Sequence, residues 1–285
     1  MSMAIDLDLL LKAYASGIFP MADARDDPDV FWVEPKARAV IPLDNFQMSR
    51  SLRKTIRSDR FRVTADTAFA DVIDICATQA ADRKETWINA EIEEAFVQLH
   101  QLGHAHSIEC WQADETTGED RLVGGLYGLA IGGAFCGESM FSRSRDASKV
   151  ALAWLVARLN VGGFELLDCQ FMTDHLASLG AIEISQDEYV NKLRKIRGYT
   201  PSSVVSAIRS PIGSAGALVA GGAGRVAAGA GAAGAAVSGA VSFGALDALL
   251  ARLDEDLRGA VGSAESPGVS SSPGKLIAQL LTQTS

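Results

Sequence analysis

Two runs of strand-forming residues, Leu122–Ala130 and Ala134–Ser142, are joined at Gly132-Gly133, a dipeptide suited to a tight hairpin. That junction constrains the fold more than any other feature, because strands joined so tightly have to run antiparallel. Beyond Ser142 the pattern changes character. Leu152, Leu155, Val156 and Leu159 mark an amphipathic helix, and a strand is predicted over Phe164–Phe171. The order mixes helices with hairpin-joined strands, so the expected class is α+β around a mixed, partly antiparallel sheet.

Upstream, Leu7, Leu10, Leu11 and Tyr14 recur at helical spacing, with Gly17 placed to close the helix. Strands are predicted at Ala39–Pro42, Phe61–Thr64 and Ala105–Trp111. Ser49 is placed to cap a short helix in which Arg50, Arg53, Lys54 and Arg57 share one face while Leu52 and Ile56 point towards a core. Asp66 is read as the cap of a helix burying Phe69, Val72, Ile73 and Cys76, and Asn89 as the start of one burying Ile92, Ala95, Phe96 and Leu99.

Composition shifts abruptly after Thr200. Residues Ser202 to Ala245 are mostly Gly, Ala, Ser and Val, so residues 199–245 read as an Ala/Gly-rich flexible linker. The uncharged run Val226–Leu246 is nominally long enough to cross a bilayer, but Gly and Ala supply little transfer free energy, and no membrane partner is expected. Residues 246–285 carry amphipathic segments: Leu246, Leu249, Leu250, Leu253 and Leu257, then Leu276, Ile277, Leu280 and Leu281. These can pack back on the domain or dock a partner.

The net charge of −9 sits awkwardly with nucleic-acid binding, yet Arg50, Arg53, Lys54, Arg57, Arg60 and Arg62 cluster with Asp59 as the only acid among them. The four cysteines are scattered, without a C-x-x-C pair, which fits a reducing compartment. Asp6 and Asp8 stand where a signal peptide needs positive charge, and a cytoplasmic location is expected.

Four positions invite a chemical reading. Asp168 and Gln170 share a strand face within an otherwise apolar stretch, where a carboxylate is costly without partners. They form either a site or a structural hydrogen-bond pair. Glu138, between Gly137 and Ser139, is either structural or a receptor for a cation. Trp87 can stack on a base or belong to the core. His100, His104 and His106 straddle the helix end at Gly103 and make a poor metal set, and Cys169 faces away from Asp168, so no metal and no thiol nucleophile is expected.

The motifs Gly17-Ile-Phe-Pro20, Ile41-Pro-Leu-Asp44, Ser49-Arg-Ser51, Thr86-Trp-Ile88, Gly103–Glu109, Phe135–Arg143, Ala147-Ser-Lys149, Asp168-Cys-Gln170 and Ser178-Leu-Gly-Ala181 occur in one order along the chain. Together they resemble the leucyl/phenylalanyl-tRNA–protein transferase family over roughly Leu7 to Tyr189. Met21 and Phe31-Trp-Val-Glu-Pro35 depart from tryptophan-rich family motifs. The resemblance implies a small N-terminal domain, residues 1–61, and an acetyltransferase (GNAT)-like catalytic domain, residues 62–198. It implies transfer of Leu or Phe, sometimes Met, from aminoacyl-tRNA to proteins with an N-terminal Arg or Lys, whose product is a degradation signal. By the same resemblance Asp168 and Gln170 form the reaction centre, Trp87 positions the terminal adenosine and Glu138 lies at the substrate site. The resemblance also implies that Leu126, Phe135, Met140, Leu155 and Leu167 line the side-chain pocket, while their shared helical face leads Arg50, Arg53, Lys54 and Arg57 to be expected to contact tRNA phosphates.

Aminolysis of an ester needs no cofactor, because the ester already carries the activation. An unperturbed Asp168 is a poor sink for the proton of an α-amine, about 3.9 against about 7.7–8.0, so it is expected to hold Gln170 and to act electrostatically. A coenzyme A-dependent acetyltransferase would want an Arg/Gln-x-x-Gly-x-Gly/Ala loop, where this chain reads Arg143-Ser-Arg-Asp-Ala-Ser148. An RNA-binding adaptor would leave Asp168, Gln170 and Glu138 without a role.

Overall fold

The computed structural model describes residues 5–78, 86–114, 116–196, 241–261 and 272–283. Its centre is a seven-stranded sheet in the spatial order β4 (Arg62–Ala65), β5 (Ala105–Ala113), β6 (Asp120–Ile131), β7 (Ala134–Ser142), β8 (Leu166–Gln170), β3 (Ala37–Ile41), β9 (Ile182–Ser185). Every neighbouring pair is antiparallel except β7 and β8. The expected mixed sheet is therefore present, with its hairpin turning at Gly132, φ +55°. A second, two-stranded sheet pairs β1 (Phe19–Met21) with β2 (Phe31–Val33).

The helices are α1 (Leu7–Ala15), α2 (Arg50–Arg57), α3 (Phe69–Ala77), α4 (Ala90–Gln101), α5 (Ala147–Val161), α6 (Asp174–Ala177), α7 (Gln186–Lys195), α8 (Ala245–Val261) and α9 (Pro273–Gln283). Alternation along the strands sends residues to two large cores, and a smaller third one joins Val40, Ala134, Leu166 and Ile184 to Tyr189 and Leu193 of α7. Leu126, Phe135 and Leu167 meet α5 with α2, α8 and α9, whereas Tyr127, Leu129 and Cys136 meet α1, α3 and α4. Ser49 and Asn89 cap α2 and α4 as expected, accepting from the amides of Leu52 and Ile92.

Two expectations need correction. Asp66 does not cap α3: it adopts φ +58° and turns its carboxylate to the Ser107 amide and to His106 Nδ1, each bond under 3 Å, so the sheet edge wins it from the helix. Nor is α5 amphipathic. It is buried on all sides from Ala147 to Leu159, because α8 and α9 cover the side that a lone helix would show to water.

The C-terminal segments thus pack back on the domain. Phe243 stacks on Phe135 and His106 with centroids 5.7 and 4.0 Å apart, and Arg158 donates to the Phe243 carbonyl and both Asp247 oxygens. At the other end of the tail α9 lies on α2, so closely that a Cβ on Gly274 would stand 2.0 Å from the Ile56 carbonyl oxygen. The linker read at residues 199–245 lies outside the described residues up to 240. No helix among the described residues is long and apolar enough to cross a membrane.

Candidate active site

The parallel strands β7 and β8 pair only from Ala134–Cys136 to Leu166–Asp168 and then separate. Where they part, both carry a register irregularity. On β7, Tyr127 lies opposite Ser139 and Gly128 opposite Gly137, so Glu138 is the extra residue. On β8, Val40 lies opposite Asp168 and Ala39 opposite Gln170, so Cys169 is the extra one. Such bulges re-aim side chains. Here they bring Glu138 and Gln170 together across the split, with Gln170 Nε2 donating to Glu138 Oε1 at 2.9 Å.

The split opens into a cavity of about 300 Å³. Leu126, Met140, Leu152, Leu155, Leu167 and Leu176 make its apolar wall, and Trp87, Glu138, Gln170, Thr173 and His175 add polar edges, with Phe171 also lining it. Phe171 is 47% exposed and packs edge-on against Phe19. Burial pushes the Cys169 thiol, also in the lining, upward, and the Asp168 charge adds to the rise, so it stays protonated and unreactive.

Asp168 lies behind this wall, not in it. Strand alternation alone would put it on one face with Gln170, but the extra residue and the left-handed backbone of Gln170, φ +62°, break that alternation. Asp168 is fully buried and bonded to Arg38 Nε at 2.9 Å and Nη2 at 2.7 Å, to the Tyr189 hydroxyl at 2.9 Å and to the Gln170 amide at 2.8 Å. It fixes the backbone that presents Gln170. Arg38 is held in turn by the Gly17 carbonyl, 3.0 Å from Nη1, and is flanked by the rings of Phe19 and Tyr189.

Glu138 is the carboxyl in the cavity wall whose ionisation the fold alters. Burial pushes its carboxyl up to about 8, against the pull of the Tyr14 hydroxyl and the Gln170 amide, with Asp168 adding to the rise and Arg38 opposing it. The Tyr14 hydroxyl is near enough to exert that pull, yet neither it nor Glu138 Oε2 closes a hydrogen bond of ordinary geometry among the described residues. An unpartnered, buried carboxyl oxygen in a cavity wall is suited to meet a ligand's donor.

Of the residues singled out in the sequence, Trp87, Leu126, Glu138, Met140, Leu155, Leu167 and Gln170 line the cavity. Phe135 does not: it is wholly buried beneath, against Phe164 and Phe243. Arg50, Arg53, Lys54 and Arg57 are exposed on α2 and make no salt bridge among the described residues. Arg38, Tyr189, Tyr14 and His175 were not anticipated. Arg38 had a usable signal, since a lone cation within the apolar strand Ala37–Ile41 is as costly to bury as Asp168.

The family model for leucyl/phenylalanyl-tRNA protein transferase matches residues 40–194, and the model for the N-terminal domain of the same proteins matches residues 3–36. A leucyl/phenylalanyl-tRNA–protein transferase of Rhizorhabdus wittichii is 66% identical over 187 residues, which span 66% of this chain and 73% of that protein. One from Novosphingobium aromaticivorans is 52% identical over 283 residues, 99% of this chain and 97% of that protein, the C-terminal segments included. One from Zymomonas mobilis is 61% identical over 194 residues, 68% of this chain and 70% of that protein. With a cavity at the strand split and a sequence match along its whole length, the chain belongs to the leucyl/phenylalanyl-tRNA–protein transferase family.

Proposed function

We propose that this chain moves leucine or phenylalanine, with methionine a further candidate, from aminoacyl-tRNA to the α-amine of proteins that begin with Arg or Lys. The product carries an N-terminal degradation signal, and the reaction takes place in the cytoplasm. The observation that carries this reading is a leucine-lined cavity of about 300 Å³ ending at the Glu138–Gln170 pair. The aminoacyl side chain fills the apolar wall, its ester lies at the pair, and the terminal adenosine reaches Trp87. The sheet that opens between two parallel neighbours also supports an acetyltransferase-like reading of the catalytic domain.

The amine of the acceptor forms the new bond to the ester carbonyl carbon. Its proton passes to the Glu138 carboxylate, the bond to the ribose oxygen breaks, and that oxygen takes the proton back from Glu138. A carboxyl near 8 matches an α-amine at about 7.7–8.0, which makes Glu138 a better proton acceptor than the paired Asp168. Gln170 orients Glu138, and Asp168 with Arg38 fixes Gln170. Positioning supplies most of the acceleration, since a near-attack geometry is worth about 7–11 kcal/mol. An apolar wall separates similar side chains by only about 1–3 kcal/mol, so loose selectivity is expected.

The test is to incubate the protein with an Arg-initiated peptide and leucyl-, phenylalanyl- or methionyl-tRNA, and separately with acetyl-CoA. Labelled peptide from the charged tRNAs alone is expected. Acetylation instead, or no product with any donor, would sink the reading.

A further inference from the structure

His175 lines the same cavity and carries a buried polar atom: its Nε2 has no hydrogen-bond partner among the described residues. Its backbone is fixed. Thr173 caps α6 by accepting from the Leu176 amide at 3.2 Å, and the His175 carbonyl accepts from Ser178 Oγ at 2.7 Å. Leu176 is buried beside it. Burial holds the imidazole below its ordinary range and the Lys149 charge adds to this, so the ring is neutral at pH 7. Leaving such a nitrogen unpaired is costly, which points to a partner brought by the substrate.

The aminoacyl ester offers few groups for that bond. A leucine, phenylalanine or methionine side chain carries no hydrogen-bonding hydrogen, and the reaction proposed above puts the ester carbonyl at the Glu138–Gln170 pair, with the amine α to it and the attacking amine of the acceptor both beside that carboxylate. The hydroxyl vicinal to the ester on the terminal ribose remains. We propose that His175 Nε2 hydrogen-bonds this hydroxyl, making His175 a positioning residue that selects ribose over deoxyribose esters. This rests on the transfer reaction proposed above.

A two-by-two comparison tests it. Leucyl esters of a short acceptor-stem RNA, ending in ribose or in 2′-deoxyribose, are offered to the wild-type protein and to His175→Ala, and kcat/KM is measured. Comparing the two ratios cancels the intrinsic difference in reactivity between the esters. The wild type is expected to discriminate more than His175→Ala by several-fold, up to about tenfold, the worth of one neutral hydrogen bond. His175→Gln, which keeps a hydrogen-bonding group, should retain part of the preference. Equal ratios in wild type and His175→Ala overturn the proposal, and mark the residue as structural if both esters slow alike. Should His175→Ala not fold, His175→Asn, too short to reach, takes its place with the same criterion. Failure of the wild type to use the ribose ester at all would remove the transfer reading, and this proposal with it.

Discussion

Arg38 and Asp168, 130 positions apart, meet in a bidentate ion pair at which their side chains are 1% and 0% exposed. The pair joins β3 to β8 beside the extra residue Cys169, and the same carboxylate accepts the Gln170 amide at 2.8 Å. Asp168 is therefore saturated by bonds within the fold, and in the proposed reaction it acts through the position of Gln170.

Removing one partner of such a pair leaves a buried charge without compensation, which costs about 3–5 kcal/mol. Arg38→Met alone should lower stability by that order in urea denaturation. Arg38→Met combined with Asp168→Leu should recover much of it, because no lone charge remains, but transfer should stay at least about 100-fold down. Restored turnover in a stable double variant would show that the pair does not position the site.

Glu138 links stability to pH with a definite sign. Its folded carboxyl, near 8, lies above the ordinary value of 4.5, so the folded protein binds more protons than the unfolded chain between those values. Stability from this group is complete below pH 4.5 and is lost as pH rises to 8. Glu138→Gln removes the loss and should raise the melting temperature at pH 8 relative to wild type while leaving it nearly unchanged near pH 4. The difference should be on the order of a few kcal/mol. Activity should move oppositely. If both the amine and Glu138 must be deprotonated, the wild-type rate below pH 7 rises with two protons, and the slow residual rate of Glu138→Gln rises with one. Identical slopes would remove Glu138 from proton transfer.

The mixed sheet and the buried helix faces were legible because period-two and period-3.6 patterns report burial directly, as at Leu52 and Ile56 or at Ile92 and Phe96. Residue chemistry alone made the candidate site legible as a set of polar residues in apolar company, and the family resemblance added its apolar wall, Leu126, Met140, Leu155 and Leu167. The arrangement of the site was not legible, because a bulge shifts alternation by one residue and leaves no composition signal. Glu138 and Cys169 look like any other strand residues, yet their insertion turns Gln170 into the cavity and leaves Asp168 behind it. The same holds for α5, whose sequence could not reveal that segments some 90 positions downstream, such as Asp247 opposite Arg158, would cover it.

The basic face of α2 makes a separate prediction. Arg50, Arg53, Lys54 and Arg57 are exposed, and their helix is pinned from behind by α9. Each phosphate left without its cation should reduce the slope of log K against log salt by roughly 0.7–0.9. A quadruple Ala variant should therefore bind every tRNA more weakly with a much flatter salt dependence, measured by filter binding. Its rate on a short aminoacyl ester lacking the tRNA body should be unchanged. An unaltered slope would leave the face simply solvated.

The last prediction separates two anchors of the C-terminal segments. Asp247 holds Arg158 through two bonds, but its carboxylate is 60% exposed, so water and salt screen the pair and Asp247→Ala should cost about 1 kcal/mol or less. Arg158 also keeps its bond to the Phe243 carbonyl. Phe243 is 8% exposed, sits among Phe135, Phe164 and His106 and carries the Arg158 guanidinium 5.0 Å from its ring centre. Truncating it opens a cavity in the main core, and Phe243→Ala should cost about 3–5 kcal/mol. Because α5 supplies Leu152 and Leu155 to the cavity proposed to hold the aminoacyl side chain, the loosened helix should raise KM for leucyl-tRNA more than it lowers kcat. Asp247→Ala should leave both constants near wild type. If the two variants were destabilised equally, the ion pair would anchor the C-terminal segments as firmly as the aromatic stack, and they would be held at their rim as much as by their core.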